Sequence, residues 1–97
     1  MTAEAGSGTV RCRVIYSGHV QGVCFRAISR ELSRRFRVVG YVRNQADGTV
    51  ELEAEGAPEE VERFLSAVGQ EFSGYIAHVE RTSRPNRGDE ARFEIRY

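Results

Sequence analysis

Gly18-His19-Val20-Gln21-Gly22-Val23-Cys24-Phe25-Arg26 is the stretch on which the fold turns. The residues before it, Thr9 to Tyr16, alternate and carry enough β-branched side chains to form a strand. Behind it, Phe25, Ile28, Leu32 and Phe36 recur at helical spacing, which predicts an amphipathic helix from Val23 to about Arg37. The quoted residues are therefore a glycine-bracketed loop between a strand and a helix N-terminus. Free backbone N–H groups gather at such a junction, and Arg26 adds a guanidinium in the first helical turn. Together they make an anion site, best suited to phosphate.

The remaining elements follow from the same patterns. Val38 to Gln45 reads as a second strand, and Asp47-Gly48 as a tight turn. Val50, Leu52 and Ala54 then alternate with Glu51, Glu53 and Glu55, giving a hairpin with one dry and one wet face. Pro58, followed by Glu59 and Glu60, suits a helix start. Val61, Phe64, Leu65 and Val68 supply that helix's apolar stripe, and Gly69 to Gly74 closes it. Tyr75 to Thr82 and Ala91 to Tyr97 read as two final strands around a polar loop. The order is β-α-β-β-α-β with an extra C-terminal strand. Its economical packing is an α+β, ferredoxin-like sandwich with both helices on one face of an antiparallel sheet.

With 97 residues there is room for one domain, expected over 9–97 behind a disordered tail at 1–8. No apolar run approaches the roughly 20 residues that span a bilayer, and the first residues do not resemble a signal peptide. A cytoplasmic, monomeric protein without membrane contact is the expectation. Basic and acidic residues balance at 14 each, which argues against a nucleic-acid partner. They are unevenly placed: Arg26, Arg30, Arg34, Arg35 and Arg37 crowd the first helix, while Glu51 to Glu62 holds a run of carboxylates. Solvated faces explain both runs; the arginines could also draw an anion toward the loop. Cys12 and Cys24 have no metal spacing and no CxxC pairing, as expected of free thiols.

The topology places a second residue at the loop. In a split β-α-β unit the first two strands run the same way with the third between them, so their C-terminal ends share one edge. Asn44, near the end of Gly40-Tyr41-Val42-Arg43-Asn44, then lies about 10 Å from the loop. An anion and a water fit in that gap, although a strand-end Asn can equally serve the turn. Arg26 has its own ordinary explanation as a solvated charge. A cation at the positive end of a helix dipole is better accounted for if an anion sits between them.

Other phosphate chemistries fit less well. Neither GxGxxG nor GxxxxGK[ST] is present. Cys24 to Arg30 satisfies C-x5-R, the spacing of cysteine-dependent phosphatases, but Phe25 and Ile28 belong to a helix and cannot wrap as that loop must. His19 and His78 are the only histidines, and an exposed loop position accounts for His19. No general base, metal cluster or serine triad stands out. Strong anion binding without a nucleophile suits a substrate that is already activated.

These residues resemble the acylphosphatase family. The resemblance runs from about Thr9 to Tyr97 and rests on Gly18 to Arg26, Gly40 to Asn44, Asp47-Gly48-Thr49-Val50 and Phe93-Glu94-Ile95-Arg96-Tyr97. It implies a ferredoxin-like enzyme that hydrolyses acyl phosphates to a carboxylate and inorganic phosphate, with no metal and no cofactor. It further implies that Arg26 and the backbone amides of Gln21, Gly22, Val23, Cys24 and Phe25 hold the phosphoryl group. Asn44 would orient the attacking water, and the substrate's own phosphate would accept its proton. Cysteine occupies a variable slot before Phe25. The alternative from another class is a phosphate- or carbamoyl-phosphate-binding module with little turnover.

Overall fold

The computed structural model describes residues 8–97. The tail expected at 1–8 therefore lies, apart from Gly8, outside the described residues. The elements in chain order are β1 (Val10–Gly18), α1 (Phe25–Ser33), β2 (Val38–Asn44), β3 (Val50–Gly56), α2 (Pro58–Glu71), β4 (Ile76–Arg84) and β5 (Phe93–Arg96). The five strands form one sheet in the order β4-β1-β3-β2-β5. Both β1 and β2 are antiparallel to β3, which lies between them, so they are parallel to each other as the topology demands. One pairing refines the expected antiparallel sheet: β5 runs parallel to β2 and makes the sheet mixed.

Helix α1 is shorter than its apolar spacing suggests. Val23 stays in the loop, and the chain after Ser33 tightens into turns in which Arg34, Arg35 and Phe36 N–H donate to carbonyls three residues back. Helix α2 starts on Pro58 with Glu59 and Glu60 in its first turn, where carboxylates favour the helix dipole. Its stripe of Val61, Phe64, Leu65 and Val68 is buried against Val14, Val42, Val50, Leu52 and Ala54 from the sheet. Phe25 anchors the start of α1 in this core, with its ring 4.1 Å from that of Phe72 and 5.0 Å from that of Tyr16.

The opposite face of the sheet overturns one expectation. Glu51, Glu53 and Glu55 alternate out of the core as expected, yet they are only 3%, 7% and 5% exposed. Arginines, not water, cover them. Glu51 accepts from Arg13 and Arg43, and Glu53 accepts from Arg11 and Tyr41. Arg11 also reaches Glu55 and Glu90, and Arg87 and Gly88 N–H donate to Glu55. The connection from β4 to β5 must pass from one sheet edge to the other, and these bonds hold it against the sheet. Among the described residues, no helix is long and apolar enough to cross a membrane.

Candidate active site

Strand β1 leads into the loop through a bulge. Ser17 pairs with His78 but Gly18 pairs with Ile76, leaving Ala77 unmatched. Gly18 has φ +121°, and a Cβ there would stand 2.6 Å from both Ala77 N and Tyr75 O. Only glycine fits this close approach. His19 N–H then donates to Tyr75 O at 2.8 Å, fixing where the loop departs.

Two left-handed residues shape the loop itself: Gly22 at φ +80° and Cys24 at φ +62°. The Cys24 conformation is uncommon for a residue with a Cβ and costs about 1–2 kcal/mol. Its effect is to turn the chain directly into α1, whose first backbone bond is Ile28 N–H to Cys24 O. Among the described residues, the N–H groups from Val20 to Ala27 have no backbone acceptor. The helix has no side-chain cap and no acid in its first turn. Uncapped donors at the positive end of a helix dipole favour an anion.

A cavity of about 340 Å³ opens at this point, lined by Val20, Gly22, Cys24, Phe25, Arg26, Ala27, Asn44, Ile95 and Tyr97. Asn44 pairs with Val50, which in turn pairs with Tyr16, so Asn44 and the end of β1 are level and two strands apart. That spacing is about 10 Å. Arg26 is half-buried and, among the described residues, has neither an acidic partner nor a hydrogen-bond acceptor. Its guanidinium instead lies over the Tyr97 ring, 4.8 Å from the centroid. Its donors are therefore unspent, while eight other arginines of the described chain are paired with carboxylates.

Of the residues expected at the site, Gly22, Cys24, Phe25, Arg26 and Asn44 line the cavity, whereas Gln21 and Val23 do not. Val23 packs against the core. Gln21 acts as a tether: its side-chain amide donates to Gln45 O at 2.8 Å and Thr49 O at 2.9 Å. It thus binds the β1–α1 loop to the β2–β3 turn that follows Asn44. The turn is braced further by Asp47, whose carboxylate accepts from the Thr49 backbone N–H and hydroxyl and is held below its ordinary range by those bonds. His19 remains exposed with its ring beside Tyr75. Among the described residues, no group of three His, Cys, Asp or Glu is arranged to hold a metal ion.

Ile95 and Tyr97 were not anticipated as walls. They reach the cavity because β5 pairs with β2 in parallel register, with Ile95 opposite Val42, two residues before Asn44. The Phe93 to Tyr97 pattern signals a strand but carries no information about its neighbour.

Residues 12–95 match the sequence model of the acylphosphatase family. The chain belongs to the acylphosphatase family. An acylphosphatase of Anaeromyxobacter sp. (strain Fw109-5) is 40% identical over 88 residues, covering 90% of this chain and 95% of that protein. One from Geobacillus thermodenitrificans (strain NG80-2) is 39% identical over 90 residues, covering 90% and 94%. Among solved structures, the acylphosphatase from Bacillus subtilis superposes with a TM-score of 0.82 at 32% identity, covering 91% of this chain and 99% of that one.

Proposed function

We propose that this chain hydrolyses acyl phosphates, with Arg26 and the loop amides of Gly22, Cys24 and Phe25 binding the phosphoryl group and Asn44 positioning water. Membership of the acylphosphatase family supports the activity. The observation that carries the residue roles is the unpaired Arg26, which lines the same cavity as Asn44 and the uncapped start of α1.

The chemistry asks little more of the protein. An acyl phosphate is a mixed anhydride whose leaving group is a carboxylate, a weak base that departs without protonation. Water attacks phosphorus as the bond from phosphorus to the carboxylate oxygen breaks, and the water's proton passes to a phosphoryl oxygen. The products are a carboxylate and dihydrogen phosphate, so atoms and charge balance without a protein base. Negative charge spreads over the phosphoryl oxygens in this displacement. Fixed N–H donors and a bidentate guanidinium stabilise it without reorganising. The Asn44 amide can accept from the water and hold it in line, which reduces the entropy cost of attack. A monomer fits this account, because one chain supplies every group invoked.

The test separates binding from turnover. Arg26→Ala should abolish hydrolysis and weaken inhibition by inorganic phosphate. Asn44→Ala should lower kcat while leaving phosphate inhibition nearly unchanged. Activity that survives Arg26→Ala, or phosphate binding that collapses with Asn44→Ala, would contradict these roles.

A further inference from the structure

A second cavity of about 650 Å³ lies between α1 and β5, lined in part by Arg30, Arg34, Phe36, Arg92, Glu94 and Ile95. Ile95 is a wall of both this cavity and the one that holds Arg26 and Asn44. Arg26 and Arg30 are four residues apart, which places them along one face of the helix, and Arg34 follows at its C-terminal cap. At 1.5 Å rise per residue, Arg30 stands about 6 Å along the axis from Arg26, with Arg34 beyond it. Arg92 approaches from the start of β5.

The charge of this groove is one-sided. Among the described residues, Arg30 and Arg92 have no acidic partner, and Arg34 makes only an exposed contact with Glu31 at 3.1 Å. The one carboxylate in the lining is Glu94. Glu51, Glu53, Glu55 and Glu90 are engaged elsewhere, in the network around β3. The groove is thus a basic channel with an apolar floor of Ile95, Phe36 and Val38, leading away from the phosphoryl site.

We infer that this groove is the acyl subsite, and that it selects acyl phosphates whose acyl group carries a second anionic group. The inference rests on the proposed acylphosphatase activity. With phosphate on Arg26, the acyl chain passes Ile95 and its distal carboxylate meets Arg30, with Arg34 and Arg92 beyond. The arginines lie outside the reacting atoms, so they bind substrate and transition state alike. The preference therefore belongs in KM and not in kcat.

Succinyl phosphate and butyryl phosphate test this directly, since they have the same chain length and differ in the distal carboxylate. At low ionic strength succinyl phosphate should have the higher kcat/KM by roughly tenfold, carried by KM, and the ratio should shrink in high salt. Arg30→Gln combined with Arg92→Gln should bring the ratio close to one, while Arg30→Lys should keep most of it. Both positions are exposed, and unchanged thermal unfolding of the double variant would confirm that it folds. Equal kcat/KM for the two substrates, or a preference that the double variant leaves untouched, overturns the subsite while leaving the enzymatic reading intact. Folded protein that turns over neither these nor benzoyl phosphate overturns the activity and the subsite together.

Discussion

Arg26 and Cys24 sit two residues apart with opposite expectations. The Arg26 guanidinium makes no ion pair among the described residues and lies over Tyr97 with its donors free. Its loss should lower hydrolysis of benzoyl phosphate by at least about 10³-fold, and Asn44→Ala should lower kcat by about 10²-fold. Cys24 is exposed and holds a left-handed turn, but the reaction needs no thiolate. Cys24→Ser should therefore keep most of the activity, and a loss comparable to that of Arg26→Ala would revive a cysteine nucleophile. Gly22 faces open space, so a methyl group there meets no atom and only the backbone penalty remains. Gly22→Ala should cost about 1 kcal/mol in urea unfolding. That Arg26, Asn44 and Gly22 come together at one cavity was legible in the sequence because it depends on local backbone chemistry and one topological rule. The Gln21 tether was not, because its acceptors are carbonyls 24 and 28 residues away.

Strand β3 illustrates what alternation does and does not reveal. Its period of two correctly separates Val50, Leu52 and Ala54 from Glu51, Glu53 and Glu55. It is silent about what covers the second face, which depends on arginines brought alongside by β1 and β2. That cover has a pH signature. Burial alone would raise the Glu51 carboxyl, but hydrogen bonds from Arg13 and Arg43 outweigh it and hold the group below its ordinary 4.5. Glu55 is lowered in the same way: the Arg87 N–H, Arg11 and the Gly88 N–H together overcome its burial. A carboxyl depressed in the folded state adds stability that is complete above its unfolded value and is lost as pH falls through the folded one. The urea midpoint should hardly change from pH 7 to about 5 and then fall steadily below about 4.5. Glu51→Gln should lower stability at pH 7 by about 1–2 kcal/mol, since Arg13 and Arg43 keep part of their hydration. It should also flatten the acid limb; a limb as steep as before would assign acid sensitivity elsewhere. Tyr41, which donates to Glu53, is pushed up to about 12 by burial and the neighbouring carboxylates, and so stays neutral throughout this range.

On the scale of the whole molecule, one sheet edge collects the loop after β1, the end of β2 and the last residues of the chain. Periodicity identified each strand, but the parallel pairing of β5 with β2 lies in long-range contacts that no local pattern encodes. Because the proposed phosphate site joins these three segments, ligand binding should stabilise the global fold. Inorganic phosphate at ten times its Kd should add about 1.4 kcal/mol, a rise in Tm of roughly 5–10 °C. Arg26→Ala should remove most of that rise, whereas an equal rise in the variant would place the anion elsewhere. The central claim, however, concerns turnover, and one assay addresses it without assumptions about structure. Hydrolysis of benzoyl phosphate by the wild-type chain, followed by loss of ultraviolet absorbance in the presence of EDTA, should proceed rapidly and be competitively inhibited by phosphate. A folded, phosphate-binding protein that leaves benzoyl phosphate no more labile than buffer does would contradict the account and leave a binding module in its place.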